Sequence, residues 1–157
     1  MPATWIRYHR GAAALRRELR PPAASRFREL DVKVYWGAPG TGKTREAYSC
    51  CGFQSSYVWE YRGGGRPLYF DGYQGERHLI IDDFYSWVPY SFLLRVLDGY
   101  PMRVDMRGEW RWAEWEHVTI TSNADPSDWY PKVADKSALW RRINERKRFA
   151  VLGDTVT

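Results

Sequence analysis

A chain of 157 residues and 18.5 kDa has room for one domain with a single core. Its 44% hydrophobic content, with nine Trp, eleven Tyr and six Phe, excludes intrinsic disorder, because that composition buries enough apolar area to offset chain entropy. No apolar run reaches the roughly 18 residues that cross a bilayer, and MPATWIRYHRG lacks the apolar centre of a secretory signal, so neither a membrane partner nor secretion is expected.

The net charge of +5 is only mildly basic, but 19 of the 24 cationic residues are Arg, the side chain suited to planar, bidentate contacts with phosphate or carboxylate. They crowd the first segment (Arg7, Arg10, Arg16, Arg17, Arg20, Arg26, Arg28) and the last (Arg141, Arg142, Arg146, Arg148). Such clusters are either polyanion-binding surfaces or solvated helix faces. The only cysteines, Cys50 and Cys51, are adjacent, which suits neither a bridge nor a zinc site and points to a reducing compartment, cytosol or nucleus.

In chain order, Ala12–Ala14 with Leu15 and Leu19 form a short helical pattern that stops at Pro21-Pro22. Val32–Trp36 is a strand of β-formers, followed by a glycine-rich turn and a helix from about Lys43 to Cys51. Tyr57–Trp59 is a short strand and Arg62–Gly75 an irregular loop. The continuous apolar run Leu79–Ile81 is typical of a strand buried on both faces. Ser86–Leu97 carries Phe92, Leu93, Val96 and Leu97 at helical spacing, with Pro89 near its first turn. Pro101–Trp115 is a hairpin with Arg107-Gly108-Glu109 at its tip. Val118–Thr121 is a strand, Asp135 caps a helix containing Leu139, Trp140 and Ile143, and Phe149–Leu152 closes the chain as a strand. Alternating strands and helices imply an α/β fold with a mainly parallel sheet.

Gly37-Ala38-Pro39-Gly40-Thr41-Gly42-Lys43-Thr44 satisfies G-x-x-x-x-G-K-[ST] at every position, after an apolar strand and before a helical segment. Glycines there let successive N–H groups surround a phosphate at the positive end of a helix. Lys43 would neutralise the β- and γ-phosphates of ATP, and the Thr44 hydroxyl would ligate Mg²⁺. Leu79–Asp83 is a buried strand ending in two carboxylates. Asp82 would hold the metal and Asp83 would polarise the attacking water, since neighbours on a strand face opposite ways. Val118–Ser122 delivers Asn123 to the same sheet edge, where a neutral amide can bond the γ-phosphate and the lytic water. The plain alternatives are a glycine turn, solvated strand-end acids and an Asn in a turn.

In order and spacing, these three motifs resemble those of superfamily 3 helicases, and more narrowly of the ATPase domain of circovirus replication-associated proteins. The matching stretches are residues 36–44, 70–76, 80–87, 93–104, 120–130 and 138–143, and Tyr8–Gly11 is similar to the family's segment joining nuclease and ATPase domains. The resemblance implies an AAA+-like P-loop NTPase fold working as a hexameric ring, with ATP between subunits. Residues 1–30 would then be a helical oligomerisation and linker segment, and residues 31–157 the P-loop ATPase domain. Arg141 and Arg142 would lie near the neighbour's ATP, one of them as an arginine finger, unless they form a salt-bridged or solvated helix face. Consecutive residues lie ~100° apart on a helix, so unequal roles are expected.

The hairpin resembles the family's pore loop for single-stranded DNA, with Arg107 at a tip where the family often has Lys, and Arg103 and Arg111 interleaved with Trp110 and Trp112. Its alternative is a surface hairpin whose charged edges prevent aggregation. The implied function is ATP-dependent, 3′-to-5′ DNA unwinding during rolling-circle replication of a circular single-stranded DNA virus, in a host nucleus. An RNA-directed ATPase and a catalytically defective nucleic-acid-binding relic are the other readings. The family's endonuclease needs a His-apolar-His pair, whereas His9, His78 and His117 are isolated. No nuclease activity is expected in this chain, which reads as an excised ATPase domain or a shortened relative.

Overall fold

Strand β1 (Asp31–Gly37) is rich in β-branched and aromatic residues, and two other strands hydrogen-bond to it, one on each side. In the computed structural model, which describes residues 27–61, 63 and 68–151, it is followed by α1 (Lys43–Ser49), β2 (Ser56–Trp59), β3 (His78–Ile81) and α2 (Tyr90–Val96). Next come β4 (Arg103–Met106), β5 (Glu109–Trp112), β6 (His117–Ser122), α3 (Ser137–Trp140) and β7 (Glu145–Phe149). Five strands form one parallel sheet in the order β2-β3-β6-β1-β7, and β4 and β5 form a separate antiparallel pair.

Parallel strands need crossovers that cover both sheet faces, which is why β3 is buried at all four positions. Tyr35, Ala47 and Ile80 pack on the α1 side. Val32, Val34, Leu79, Ile81 and Ile120 join the larger core on the other side, together with Leu93, Val104 and Leu139. No helix among the described residues is long and apolar enough to cross a membrane.

Several boundaries differ from the sequence expectation. The 86–97 helix is only Tyr90–Val96, because Pro89 stands at its N-cap and Ser86 has φ 69°. The last helix is the single turn α3. Asp135 accepts the Ser137 N–H at 2.9 Å, although Lys136 holds the cap position, and Ile143 lies beyond the helix. The closing strand is the charged Glu145–Phe149 rather than Phe149–Leu152, since its register on β1 runs from Lys33↔Glu145 to Gly37↔Phe149. The hairpin turn is Arg107-Gly108, with Glu109 already in β5. The 62–75 segment forms no strand where it is described, yet Phe70 and Tyr73 are fully buried. Phe70 stacks at 4.2 Å on Trp59 and at 5.6 Å on Trp115. The helical pattern at 12–19 and nearly all of the expected 1–30 segment lie outside the described residues.

Candidate active site

Register places three motifs at one sheet edge. Trp36 pairs with Ser122, so Gly37 and Asn123 leave the sheet side by side; Ile81 pairs with Ile120, so Asp82 emerges beside Thr121. This is the carboxyl edge of a parallel sheet, where ligands of open α/β folds bind.

The loop between β1 and α1 depends on its glycines. Gly37 has φ 139°, and a Cβ there would lie 2.0 Å from the Phe149 carbonyl oxygen, so only glycine lets β7 close against the loop. Gly42 takes a left-handed conformation at the N-cap of α1. Among the described residues no acceptor takes the N–H groups of Ala38, Gly40, Thr41 or Gly42, which leaves an uncommitted set of donors of the kind that binds anions. Lys43 is buried, and its Nζ donates to Gly37 O at 2.9 Å and Ala38 O at 2.7 Å. Burial lowers its pKa, opposed by Asp83 and then Asp82. The Thr41 hydroxyl donates to Ala38 O at 2.8 Å and steadies the loop.

Across the edge, the Thr44 hydroxyl donates to Asp82 Oδ1 at 3.1 Å. A hydroxyl beside a carboxylate is a pair of hard oxygen donors that fits Mg²⁺. Asp83 lies beyond β3 and is exposed at φ 48°, a left-handed conformation that Asp tolerates. Asn123 is exposed and makes no hydrogen bond among the described residues. Sequence reasoning missed Thr121. Its buried hydroxyl donates to Asp82 Oδ1 at 2.7 Å and accepts the Asp83 N–H at 3.0 Å, fixing both acids from behind. Ser122 adds a second tie, donating to Phe84 O at 2.6 Å and accepting from Trp129 Nε1 at 3.2 Å.

The other candidates separate. Arg142 Nη2 meets Asp98 Oδ2 at 3.1 Å and its Nη1 donates to Ala138 O at 2.7 Å, whereas Arg141 is exposed and has no ion pair among the described residues. The hairpin arginines do not share a face. Arg103 sits with Trp110 and Trp112 on the outer face, 4.7 Å from the Trp110 ring centroid, while Arg111 lies with the buried Val104 and Met106. At the tip, Asp71 holds Arg107 twice, taking its N–H at 3.2 Å and its Nε at 3.3 Å.

His78 and His117 stand at the opposite sheet edge, and His78 is buried between Ser56 Oγ and Thr119 Oγ1, each at 2.8 Å, which makes it structural.

Sheet order, glycine loop and paired acids define an α/β P-loop NTPase of the superfamily 3 type. Residues 34–124 match the family described as RNA helicase, and the chain belongs to that family. It is similar to the replication-associated protein of Goose circovirus, 38% identical over 92% of this chain and 46% of that protein. The replication-associated proteins of Beak and feather disease virus (35% identical, 90% of this chain, 46% of that protein) and Porcine circovirus 2 (36%, 90% and 44%) are also similar. The chain thus spans somewhat under half the length of these curated relatives.

Proposed function

We propose that this chain is the ATP-hydrolysing motor of a viral replication protein, a DNA-stimulated helicase that moves single strands through a homo-oligomeric, hexameric ring. The contact of Thr44 Oγ1 with Asp82 Oδ1 beside an open loop of amide donors carries this reading. Gly37 to Thr44 would wrap the phosphates, with Lys43 released from its loop carbonyls to neutralise the β- and γ-oxygens. Thr44 and Asp82 would hold Mg²⁺, which when bound neutralises charge on the bridging oxygens. Asp83 would accept a proton from the attacking water while Asn123 orients it. Arg141, exposed and without an ion pair among the described residues, is the finger that reaches a neighbour's nucleotide, and Arg142 supports it from within its own subunit. The hairpin, with Arg107 and Arg103 outward, grips the strand.

The test is Lys43→Ala. Hydrolysis should fall by at least about 100-fold with the circular-dichroism spectrum unchanged. Hydrolysis at the wild-type rate would remove the phosphate-site assignment. An RNA-directed motor is the second reading, supported by the RNA helicase description of the matching family. Recognising RNA requires contacts to a 2′-hydroxyl, so hydrolysis stimulated more by single-stranded RNA than by DNA of equal length would favour it.

A further inference from the structure

Two of the arginines crowded near the end of the chain remain outside this site. They lie on β7, an edge strand that among the described residues pairs only with β1. Strand alternation splits β7 into two faces. Glu145 and Lys147 point to the α1 side, where Lys147 is paired with Glu46 at 3.3 Å and Glu145 with Lys33 at 3.8 Å. Arg146 and Arg148 point to the other side, in register with Val34 and Trp36.

Both guanidiniums lie over indoles: Arg146 is 5.1 Å from the ring centroid of Trp140, and Arg148 is 5.5 Å from that of Trp36. Among the described residues no carboxylate is within ion-pair distance of either. Asp125 is close enough for their charge to add to its lowered pKa, but that lowering comes mainly from Ser127, whose hydroxyl and N–H both bond its Oδ1. Two exposed forks without an ion pair among the described residues are therefore held on one face of a strand, each packed on an indole, with Asp125 as a carboxylate whose charge they feel. Their separation of two strand residues, ~6.7 Å, is comparable to that of neighbouring phosphates on an extended strand.

We propose that this face of β7 is a second contact for the phosphate backbone of single-stranded nucleic acid, separate from the β4–β5 hairpin. The proposal rests on the nucleic-acid reading above. Stacking on Trp36 and Trp140 keeps each fork oriented, so binding costs less side-chain entropy than a free arginine would. Trp36 directly precedes the glycine loop, so a strand bound here lies beside the nucleotide edge.

The test is fluorescence anisotropy of the full chain with a single-stranded oligothymidylate over a range of salt. The Arg146→Gln/Arg148→Gln double variant keeps much of each stem. It should lower affinity about tenfold and reduce the slope of log K against log salt by about 1.4, two phosphates' worth for a single strand. Lys147→Ala removes one positive charge from the same strand on the opposite face and should leave both quantities as in wild type. Equal losses in Lys147→Ala would reduce the effect to net charge and overturn the proposal, as would wild-type affinity and slope in the double variant. Weaker ATP binding with unchanged oligonucleotide binding would overturn it too, by reassigning the arginines to the nucleotide. If the double variant melts several degrees lower, Arg146→Lys/Arg148→Lys decides: it keeps the charge, so a salt slope restored to wild type supports the proposal and an unrestored one overturns it. Should wild type bind no oligonucleotide, the functional reading itself falls. If Arg107→Ala loses binding and the β7 variants do not, only the β7 contact falls.

Discussion

Thr121 shows how much of the proposed site depends on a residue that would itself touch no substrate. It gives a hydrogen bond to Asp82 Oδ1 at 2.7 Å and receives one from the Asp83 N–H at 3.0 Å. One buried hydroxyl therefore ties down both the carboxylate facing Thr44 and the left-handed turn at Asp83. If Asp82 holds Mg²⁺ as proposed, a partner of this kind is worth about 10–100-fold in affinity or activity. Thr121→Val keeps the shape and removes the hydroxyl. It should cut the hydrolysis rate by about 10–100-fold and raise the Mg²⁺ concentration needed for half-maximal activity, while the melting temperature changes by only a few degrees. An unchanged Mg²⁺ dependence would reduce Thr121 to core packing. The glycine loop and Asp82-Asp83 are legible in the sequence because their chemistry demands particular residue types at fixed spacing. Thr121 is one of three hydroxyl residues in Val118–Asn123, and only the β3–β6 register distinguishes it from Thr119, which bonds His78 at the far edge.

Among the elements, β2, β3 and β6 are bolted together by His78. The ring bonds Ser56 of β2 through Nδ1 and Thr119 of β6 through Nε2, so one neutral imidazole joins three strands. Burial pushes its pKa from 6.5 down to about 4, with smaller contributions from His117 and Lys33. Above pH 6.5 the ring is neutral whether folded or unfolded, and its contribution is fully present. As the pH falls from 6.5 toward 4, the unfolded chain takes up a proton that the folded one refuses, and about 3 kcal/mol is lost. Urea unfolding at pH 7, 5.5 and 4 should show a steeper loss for wild type than for His78→Gln, with the difference approaching that amount; parallel losses would rule the bolt out. The elements readable beforehand are those with uniform patterning, such as the apolar run of β3 and the β-branched residues of β1 and β6. β7 hides because an edge strand carries charge, and Glu145-Arg146-Lys147-Arg148 shows no apolar alternation. The burial of Phe70 and Tyr73 in an irregular loop is equally invisible, since it depends on Trp59 and Trp115, which are distant in sequence.

For the whole molecule, the unequal fates of Arg141 and Arg142 bear on assembly. They are consecutive and chemically identical, so composition and spacing cannot rank them. Packing does, because Arg142 spends its charge on Asp98, at the turn leading from α2 toward the hairpin, and Arg141 is left at the surface. A surface guanidinium with no ion pair among the described residues acquires a purpose if a second copy supplies the phosphate it meets. This can be tested by mixing defective subunits. Arg141→Ala keeps its own phosphate loop and lacks a finger; Lys43→Ala keeps the finger and lacks the loop. Each is expected to be inactive alone. Mixed equally and at random in a ring, roughly a quarter of the interfaces join an intact loop to an intact finger, so about that fraction of wild-type hydrolysis should return. Arg142→Ala, whose lost contacts lie within its own subunit, should gain no comparable activity when mixed with Lys43→Ala. If Arg141→Ala mixtures stay silent while exchange of subunits is verified by mass, Arg141 does not act on a neighbour. If Arg142→Ala mixtures recover instead, the pairing with Asp98 opens when the ring assembles and Arg142 is the finger.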